Sequence, residues 1–519
     1  MTATVLTGAL VVDGTGAPGR RADVTIADDR ITAIDAPGTA TGTTRHDLDG
    51  LVLAPGFVDL HAHSDLTRFA SPTGDTRVLQ GITTEVIGNC GLSPAPTSGE
   101  GFRDAIATID VVPSVPLSWE SPAEYLDALD GLAAAWNIAP LLGHGSVRRR
   151  VMGDAARAAA PADRAAMSRV VADALDAGYW GLSYGLMYAP GELSDPTELG
   201  ALAATVAAAD ALVAVHLRAY DADGLVDAVD EILTVATTAR ARLQISHLRS
   251  IVDSEGAALD AALSRIRASD ADVAADAYPY LAGHTTALQL IPSELRARGT
   301  AQILAEVRGN RKALADELRR TVHFSPDAIT IVRAGEGQTP ELGCTLEQLQ
   351  AADRLGRDWA LILLDLIDAH DAAVDAIIVG TRPSDAARVL AEPYVSVASD
   401  GVALALDHTL NRAHPRSIGT FPHAMRDLLD AGFALEAVVH KMTAQPADRL
   451  GLTSRGRIRV GAPADLVALD PTTVRDRADY AHPLVAPAGI ERVWVAGQCV
   501  AESGRVTGRL PGVLLRRTR

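Results

Sequence analysis

The chain has 519 residues, of which 48% are hydrophobic and only 4% aromatic, so a large core of Ala, Val, Leu and Ile is expected. With 47 Lys and Arg residues against 65 Asp and Glu residues, its formal charge is −18, which argues against a nucleic-acid or anionic-membrane partner. The three cysteines are too few and too scattered for a disulfide framework, which favours a reducing compartment. Residues 1–14 lack the features of a signal peptide, and no apolar run approaches the roughly 20 residues of a membrane span. We therefore expect a cytoplasmic protein.

The two ends of the chain share a β-rich pattern. Residues 4–53 alternate short β-type runs with Gly, Pro and Asp turns, and residues 456–503 repeat this pattern. We expect the two ends to pair into one small β-sandwich domain, formed by residues 1–54 and 456–519. Residues 55–455 would then form the other domain.

Between the two ends, apolar β-type runs alternate with Ala-rich stretches of helical period, which is typical of βα units and a parallel sheet. The runs interpreted as strands are 56–63, 83–90, 137–144, 181–186, 211–216, 241–247, 272–278 and 395–400. Eight such strands predict an α/β fold, a (β/α)8 TIM-like barrel. The interval from Tyr280 to Val395 is too long for one βα unit, so residues 284–345 are interpreted as an inserted lid over the barrel mouth.

Six of the predicted strands end in chemically reactive side chains. These are His63, Cys90, His144, His216, His247 and Asp400. Because the C-terminal ends of barrel strands open to one mouth, such side chains converge on one pocket. His61 and His63 are two residues apart, so both can point to the same face of the first strand. A lone histidine is more often a polar group of the core than a ligand, which is how we interpret His144 and His284.

The residues that could hold a metal are imidazoles, one thiol and one carboxylate. The candidate set is His61, His63, Cys90, His216, His247 and Asp400. Zinc accepts all three donor types, and a catalytic zinc keeps one position open. Cys90, His216 and His247 would leave that position free for water or substrate. The other three members of the set, His61, His63 and Asp400, are the candidate ligands of a second, weaker site.

Motifs spread over nearly the whole chain carry a family resemblance. They are PGFVDLHAHSD, QGITTEVIGNCG, VHLRAY, QISHLR, DAYPYLAG, VASDG, HPRSIGTFP and GAPADLVALDP. Together with the barrel and the split β domain, they resemble the amidohydrolase superfamily, specifically the N-acyl-D-amino-acid deacylases (D-aminoacylases), and the GNCG turn is the most discriminating motif. The resemblance implies a tightly held zinc on Cys90, His216 and His247, with a second site near His61 and His63.

The same resemblance implies that Asp400 is the catalytic carboxylate. A metal would polarise the amide carbonyl and acidify the attacking water, and Asp400 would accept the water proton and deliver it to the leaving nitrogen. Hydantoinase-like relatives commonly bridge two metals with a carboxylated lysine. The only lysines here, Lys312 and Lys441, do not end predicted strands. Cys90 is therefore the candidate bridging ligand.

An N-acyl amino acid also presents a carboxylate, for which arginine offers a bidentate partner. The candidate substrate-binding residues are Arg249, Tyr278, Arg416 and Arg218. In the family that the chain resembles, position 249 is usually lysine and the position of Leu193 is often tyrosine. Arg249 and Leu193 are therefore departures that bear on the carboxylate contact and the side-chain preference.

The sequence therefore predicts a zinc-dependent hydrolase that converts a small N-acyl-D-amino acid to a carboxylate and a D-amino acid. One alternative is a metal-dependent amidase acting on a dipeptide, a cyclic amide or another acylated small molecule. Another is a catalytically silent scaffold, which the presence of all six candidate residues disfavours. The preference for D or L substrates, the acyl group, the number of metals and the oligomeric state, including a homo-oligomer, stay open.

Overall fold

The computed structural model describes residues 3–96, 115, 117–153 and 155–518. Its strands are Thr4–Val11, Arg20–Ala27, Arg30–Asp35, Thr44–Asp47, Val52–Pro55, Phe57–Asp59, Ile82–Ile87, Asn137–Pro140, Leu142–Gly143, Gly181–Gly185, Leu212–His216, Arg242–Ile245, Val273–Ala277, Ala282–Thr286, Ile329–Ala334, Val374–Val379, Val395–Val397, Leu466–Leu469, Ile490–Val495, Gln498–Glu502 and Arg505–Val506. Its α-helices are Thr67–Ala70, Asp75–Val78, Pro122–Asp130, His144–Met152, Pro161–Ala177, Pro196–Ala208, Leu225–Ala239, Ala257–Ala268, Ser293–Arg296, Thr300–Thr321, Leu346–Ala352, Trp359–Ala369, Pro383–Ala391, Arg416–Asp430, Leu435–Met442 and Ala444–Leu450. None of the helices in the described ranges combines the length and apolar character that a membrane crossing requires.

The protein is mixed α/β, and all eight runs interpreted as parallel strands contain strands in the structure. One parallel sheet has the order Val395–Val397, Val273–Ala277, Arg242–Ile245, Leu212–His216, Gly181–Gly185 and Leu142–Gly143. A second has the order Phe57–Asp59, Ile82–Ile87 and Asn137–Pro140. Leu141 alone separates the two sheets at one edge, and a parallel bridge between Ala62 and Gly401 joins them at the other. This bridge brings the segments after the first and last parallel strands side by side.

The helices between the strands bury one face against the sheet. Pro196–Ala208 begins at Asp195, whose Oδ1 accepts the N–H of Glu198 at 2.8 Å. Its first position is proline, whose missing N–H has no helical partner to lose. This helix packs between Pro161–Ala177 and Leu225–Ala239. The same alternation of strand and helix continues around the parallel strands.

Both ends of the chain contribute to one nine-stranded sheet. Thr4–Val11 pairs in parallel with Val52–Pro55, and Val52–Pro55 pairs antiparallel with Leu466–Leu469. The N-terminal and C-terminal strands are therefore neighbours, as the shared sequence pattern indicated. Val52–Pro55 pairs on both of its edges, so hydrogen bonds join the strands from the two ends of the chain into one continuous sheet.

A further segment forms its own antiparallel sheet, with Val374–Val379 between Ala282–Thr286 and Ile329–Ala334. Its helices share a hydrophobic cluster that is separate from the main core. The insertion thus runs from Ala282 to Val379, further than the predicted 284–345. The reason is a long-range pairing, since Val374–Val379 returns to the strand at which the insertion begins.

Candidate metal and active site

The candidate ligands lie where parallel strands end. His61 and His63 follow Phe57–Asp59, Cys90 follows Ile82–Ile87, His216 ends Leu212–His216, His247 follows Arg242–Ile245, and Asp400 follows Val395–Val397. Three of these residues have positive φ, namely Cys90 (53°), His247 (35°) and Asp400 (51°). Residues other than glycine rarely adopt this backbone conformation, which costs on the order of 1 kcal/mol or more per residue. The chain thus turns sharply at three strand exits, at the positions where the donors are needed.

Four of the candidate donors form a compact buried cluster. The Sγ atom of Cys90 lies 3.3 Å from His61 Nε2 and 3.4 Å from His247 Nε2. His61 Nε2 lies 3.5 Å from Asp400 Oδ1. One donor atom from each of these four residues lies within 4.8 Å of the others. Thiolate, imidazole and carboxylate donors at this separation fit zinc.

The other two histidines border the same cluster. His63 Nε2 lies 3.0 Å from Asp400 Oδ1. The His216 ring centre lies 4.6 Å from that of His247, and its Nε2 lies 3.5 Å from Met187 Sδ. The Nδ1 atom of His216 is buried and has no hydrogen-bond partner in the described part of the chain. A buried, unsatisfied imidazole nitrogen beside a thiol fits a metal-binding role.

Local charges favour the anionic forms of the thiol and the carboxylate. Burial opposes ionisation of Cys90, but the His61 and His247 imidazoles outweigh it, and the pKa of the thiol lies well below its usual value. Burial also opposes ionisation of Asp400, but the Arg416 guanidinium, followed by His63, holds the pKa of that carboxyl well below its usual range. Both residues are thus poised to act as anionic ligands or bases at neutral pH.

Two residues that the sequence analysis did not select orient the histidines. Asp276 Oδ1 accepts the backbone N–H of His247 at 2.7 Å and lies 3.4 Å from His61 Nδ1. The Tyr220 hydroxyl lies 3.1 Å from His247 Nδ1. Such partners fix the ring orientation of a ligating histidine. Both had a signal, because Asp276 lies in the strand motif DAYPY and Tyr220 in the motif VHLRAY.

A cavity of about 130 Å³ opens beside the cluster, with Arg249 and Arg416 in its wall. Arg249 Nη1 donates to the Tyr278 hydroxyl at 2.6 Å, and Arg416 Nη1 donates to the same oxygen at 3.5 Å. Arg416 Nη1 also donates to Asp400 Oδ2 at 2.6 Å. The structure therefore brings the side chains of Arg249, Tyr278 and Arg416 together beside the cluster.

Arg218 is the exception among the expected substrate-binding residues. Its Nη2 pairs with Glu231 at 3.0 Å, and its other donors bind the carbonyl oxygens of Glu192 and Ser194. It does not line the cavity among the described residues. These contacts hold its guanidinium against a loop, and its expected role in binding substrate stays a prediction.

The two histidines interpreted as polar groups of the core, His144 and His284, differ in their placement. His144 is buried, with Nε2 2.7 Å from Glu198 Oε1, and it packs away from the cavity wall. His284 lines the cavity. Burial lowers the pKa of His284 to about 3, so it is neutral there. Neither belongs to the compact donor cluster found among the described residues.

Comparisons with known proteins identify a matching family and similar relatives. The amidohydrolase family model matches residues 45–307 and 367–501. The chain is 35% identical to an N-acyl-D-glutamate deacylase and 34% identical to a D-aminoacylase, both from Alcaligenes xylosoxydans xylosoxydans. These alignments cover 99% of this chain and 96% and 97% of the two relatives.

The chain also resembles solved structures of N-acyl-D-amino-acid deacylases. The N-acyl-D-glutamate deacylase of Bordetella bronchiseptica, complexed with zinc and a phosphonate inhibitor, has a TM-score of 0.83 and 32% identity over 99% of both chains. A D-aminoacylase structure with a binuclear metal centre has the same TM-score at 30% identity over 100% of both chains. A D-hydantoinase, at 16% identity and a TM-score of 0.56 over 99% of both chains, shares the fold alone.

Proposed function

Because the chain belongs to the amidohydrolase family, among its N-acyl-D-amino-acid deacylases, we propose that it hydrolyses the amide bond of an N-acyl-D-amino acid to a carboxylate and a D-amino acid. It is a metal-dependent amide hydrolase, and zinc is its cofactor. The observation that carries the proposal is the position of Asp400, whose Oδ1 faces the histidines of the donor cluster and whose Oδ2 pairs with the Arg416 guanidinium in the cavity wall.

Cys90, His216 and His247 would hold the tightly bound zinc, and His61 and His63 would serve a second site. When bound, the metal polarises the amide carbonyl and lowers the pKa of the attacking water. The chain's own contribution at this point is a set of buried donors whose orientation is held by neighbouring hydrogen bonds.

Asp400 would be the general base and then the general acid. His63 Nε2 lies 3.0 Å from its Oδ1, and Arg416 Nη1 donates to its Oδ2 at 2.6 Å. These contacts orient the carboxylate and keep it ionised, so that it can accept a proton from water. The Asp400 carboxyl group then delivers this proton to the leaving amine nitrogen. Arg416 would thus orient Asp400 in addition to binding the substrate.

Arg249 and Tyr278 would bind the carboxylate of the substrate. Arg249 lines the cavity wall, and its Nη1 is oriented by the Tyr278 hydroxyl at 2.6 Å. A planar guanidinium held in this way can form two parallel hydrogen bonds to a carboxylate. This contact would place the neighbouring amide bond beside Asp400.

We also propose that the parallel strands form a (β/α)8 barrel. The pairings at both seams between the parallel sheets support this arrangement. Residues 55–455 would form the barrel domain, with 1–54 and 456–519 in the β domain. The cytoplasm stays the proposed compartment, on the basis of the few and scattered cysteines in the sequence.

The test is amine release by the zinc-loaded protein from paired N-acetyl-D- and N-acetyl-L-amino acids, with the Asp400→Ala variant as control. We expect release from the D substrates alone and its loss in the variant. Zinc-loaded protein that releases amine from neither enantiomer would contradict the deacylase function. Dipeptides and cyclic amides would then be the substrates to assay.

A further inference from the structure

The two arginines of the cavity wall differ in how their charges are compensated. Arg416 pairs with Asp400 at 2.6 Å, and neither side chain is more than 10% exposed. The contacts of Arg249 are aromatic instead: its Nη1 donates to the Tyr278 hydroxyl at 2.6 Å, and its Cζ lies 5.7 Å from the Tyr220 ring centre. In the described part of the chain no carboxylate forms an ion pair with Arg249, and its buried Nε has no hydrogen-bond partner. A partly buried charge without a paired carboxylate is unfavourable, so this position fits one anionic group of a ligand.

Arg249 reaches this position because a glycine faces it. A Cβ atom on Gly283 would lie 2.5 Å from Arg249 Nη1 and 2.6 Å from Nη2. Gly283 belongs to the first strand of the insertion, where it is paired with Ile378. The guanidinium therefore rests on the insertion, opposite an apolar residue that also lines the cavity.

Ile378 is one of three apolar residues on this side of the cavity. We call Ile251, Phe324 and Ile378 the apolar wall. All three line the cavity. A Cβ atom on Gly380 would lie 2.8 Å from Phe324 Cε1 and 3.3 Å from Ile251 Cβ, so these two side chains approach one backbone position. That position is two residues from Ile378 on the same chain segment. The uncompensated charge and the apolar wall are thus neighbours.

Nearby cations are already engaged elsewhere. Arg296 pairs with Glu192 at 3.2 Å and also donates to the Gln289 side chain at 2.7 Å. Arg333 pairs with Asp375 at 3.2 Å. Among the described residues, no Lys or Arg other than Arg249 and Arg416 lines the cavity.

On the basis of the proposed function, we infer that the enzyme selects N-acyl-D-amino acids with one carboxylate and an uncharged, apolar side chain. Arg249 receives the α-carboxylate, and the apolar wall receives the side chain, which gains free energy by leaving water. A second carboxylate on aspartate or glutamate would be desolvated against the apolar wall without a cation to pair with it. The enzyme would therefore discriminate against N-acylated acidic amino acids.

The first test is a comparison of kcat/KM for N-acetyl-D-leucine, N-acetyl-D-glutamine and N-acetyl-D-glutamate. Glutamine has the shape of glutamate without its charge, so it separates the effect of charge from that of size. We expect leucine to exceed glutamate by at least about 100-fold, because a buried polar group is left unpaired, with glutamine between them. Equal values for leucine and glutamate would overturn the inference.

The second test introduces a cation into the apolar wall. Ile378→Arg is expected to raise the ratio of glutamate to leucine kcat/KM by at least about tenfold, since it supplies the missing partner. Ile251→Arg provides a second variant in case the first does not fold. Leu355→Arg is the control, because Leu355 is 77% exposed, and it should leave the ratio unchanged. An unchanged ratio in a folded wall variant would overturn the assignment of this wall.

Binding separates the inference from the reaction on which it rests. If no N-acetyl-D-amino acid is hydrolysed, the proposed function fails, and the same zinc-loaded protein can be titrated calorimetrically with N-acetyl-D-leucine and N-acetyl-D-glutamate. Tighter binding of the leucine compound would then support the selectivity independently. Equal or tighter binding of the glutamate compound, or no binding of either, would overturn it.

Discussion

Gly283→Ala tests the substrate contact with almost no other change to the molecule. The new Cβ would lie 2.5 Å from Arg249 Nη1 and 2.9 Å from its Cζ. The guanidinium must therefore shift by roughly 1 Å to reach ordinary van der Waals separation. Gly283 does not have a left-handed φ, so alanine fits its backbone. Because the obstacle is the end of a flexible side chain, we expect a stability change within about 1 kcal/mol.

The functional loss should be larger than the loss of stability. A hydrogen bond to a charged group is worth about 1.5–3 kcal/mol. Its loss would lower kcat/KM for N-acetyl-D-leucine by about 10- to 150-fold. The preference for N-acetyl-D-leucine over its carboxamide should fall in parallel, because only the acid uses the Arg249 charge.

The assay combines steady-state kinetics on the acid and the amide with zinc content and thermal unfolding. Gly200→Ala is the matched control, because a Cβ there meets nothing within 4 Å. It should keep wild-type kinetics and gain up to about 1 kcal/mol of helix stability. Wild-type kcat/KM and acid preference in Gly283→Ala would refute the role of Arg249.

Three further substitutions separate metal binding from catalysis. Asp400→Asn should lower kcat by about 10²- to 10⁴-fold while the purified protein keeps its zinc, and an active variant would contradict its role as the base. Cys90→Ala should lower the zinc content measured by elemental analysis, whereas Cys344→Ala should not; equal zinc in both variants would exclude Cys90 as a ligand. His414 accepts the backbone N–H of Arg416 at 2.9 Å and donates to a carbonyl of the insertion. His414→Ala should therefore lower kcat/KM about tenfold with zinc retained, and unchanged kinetics would show that this contact does not position Arg416.

The strand exits could be predicted from sequence because parallel strands place their C-terminal ends at one edge of a sheet. A periodic pattern is enough to locate Cys90 and Asp400 at such exits. Their positive φ values could not be predicted in the same way. Nothing in the local residue types favours a left-handed cysteine, and the conformation persists only because the surrounding packing imposes it.

Arg218 and Tyr220 show why proximity in sequence is a weak guide to the second layer of a site. Both follow His216 within one motif, and the arginine was the more obvious candidate for binding an anion. In the fold, Arg218 pairs with Glu231, whereas the Tyr220 hydroxyl lies 3.1 Å from His247 Nδ1. The direction of each side chain depends on the turn after the strand and on partners distant in sequence.

The metal donors come from the parallel strands, and part of the wall for the substrate side chain comes from the insertion. This difference explains which features could be predicted. The metal donors belong to the exits of the parallel strands, where a repeating pattern places them. The wall for the substrate side chain includes Gly283 and Ile378, which meet only because the insertion closes a sheet across nearly a hundred residues of chain. Zinc content should therefore be insensitive to substitutions at Ile378, whereas substrate preference should respond to them. The insertion can then vary to accept a new side chain while the catalytic donors stay in place.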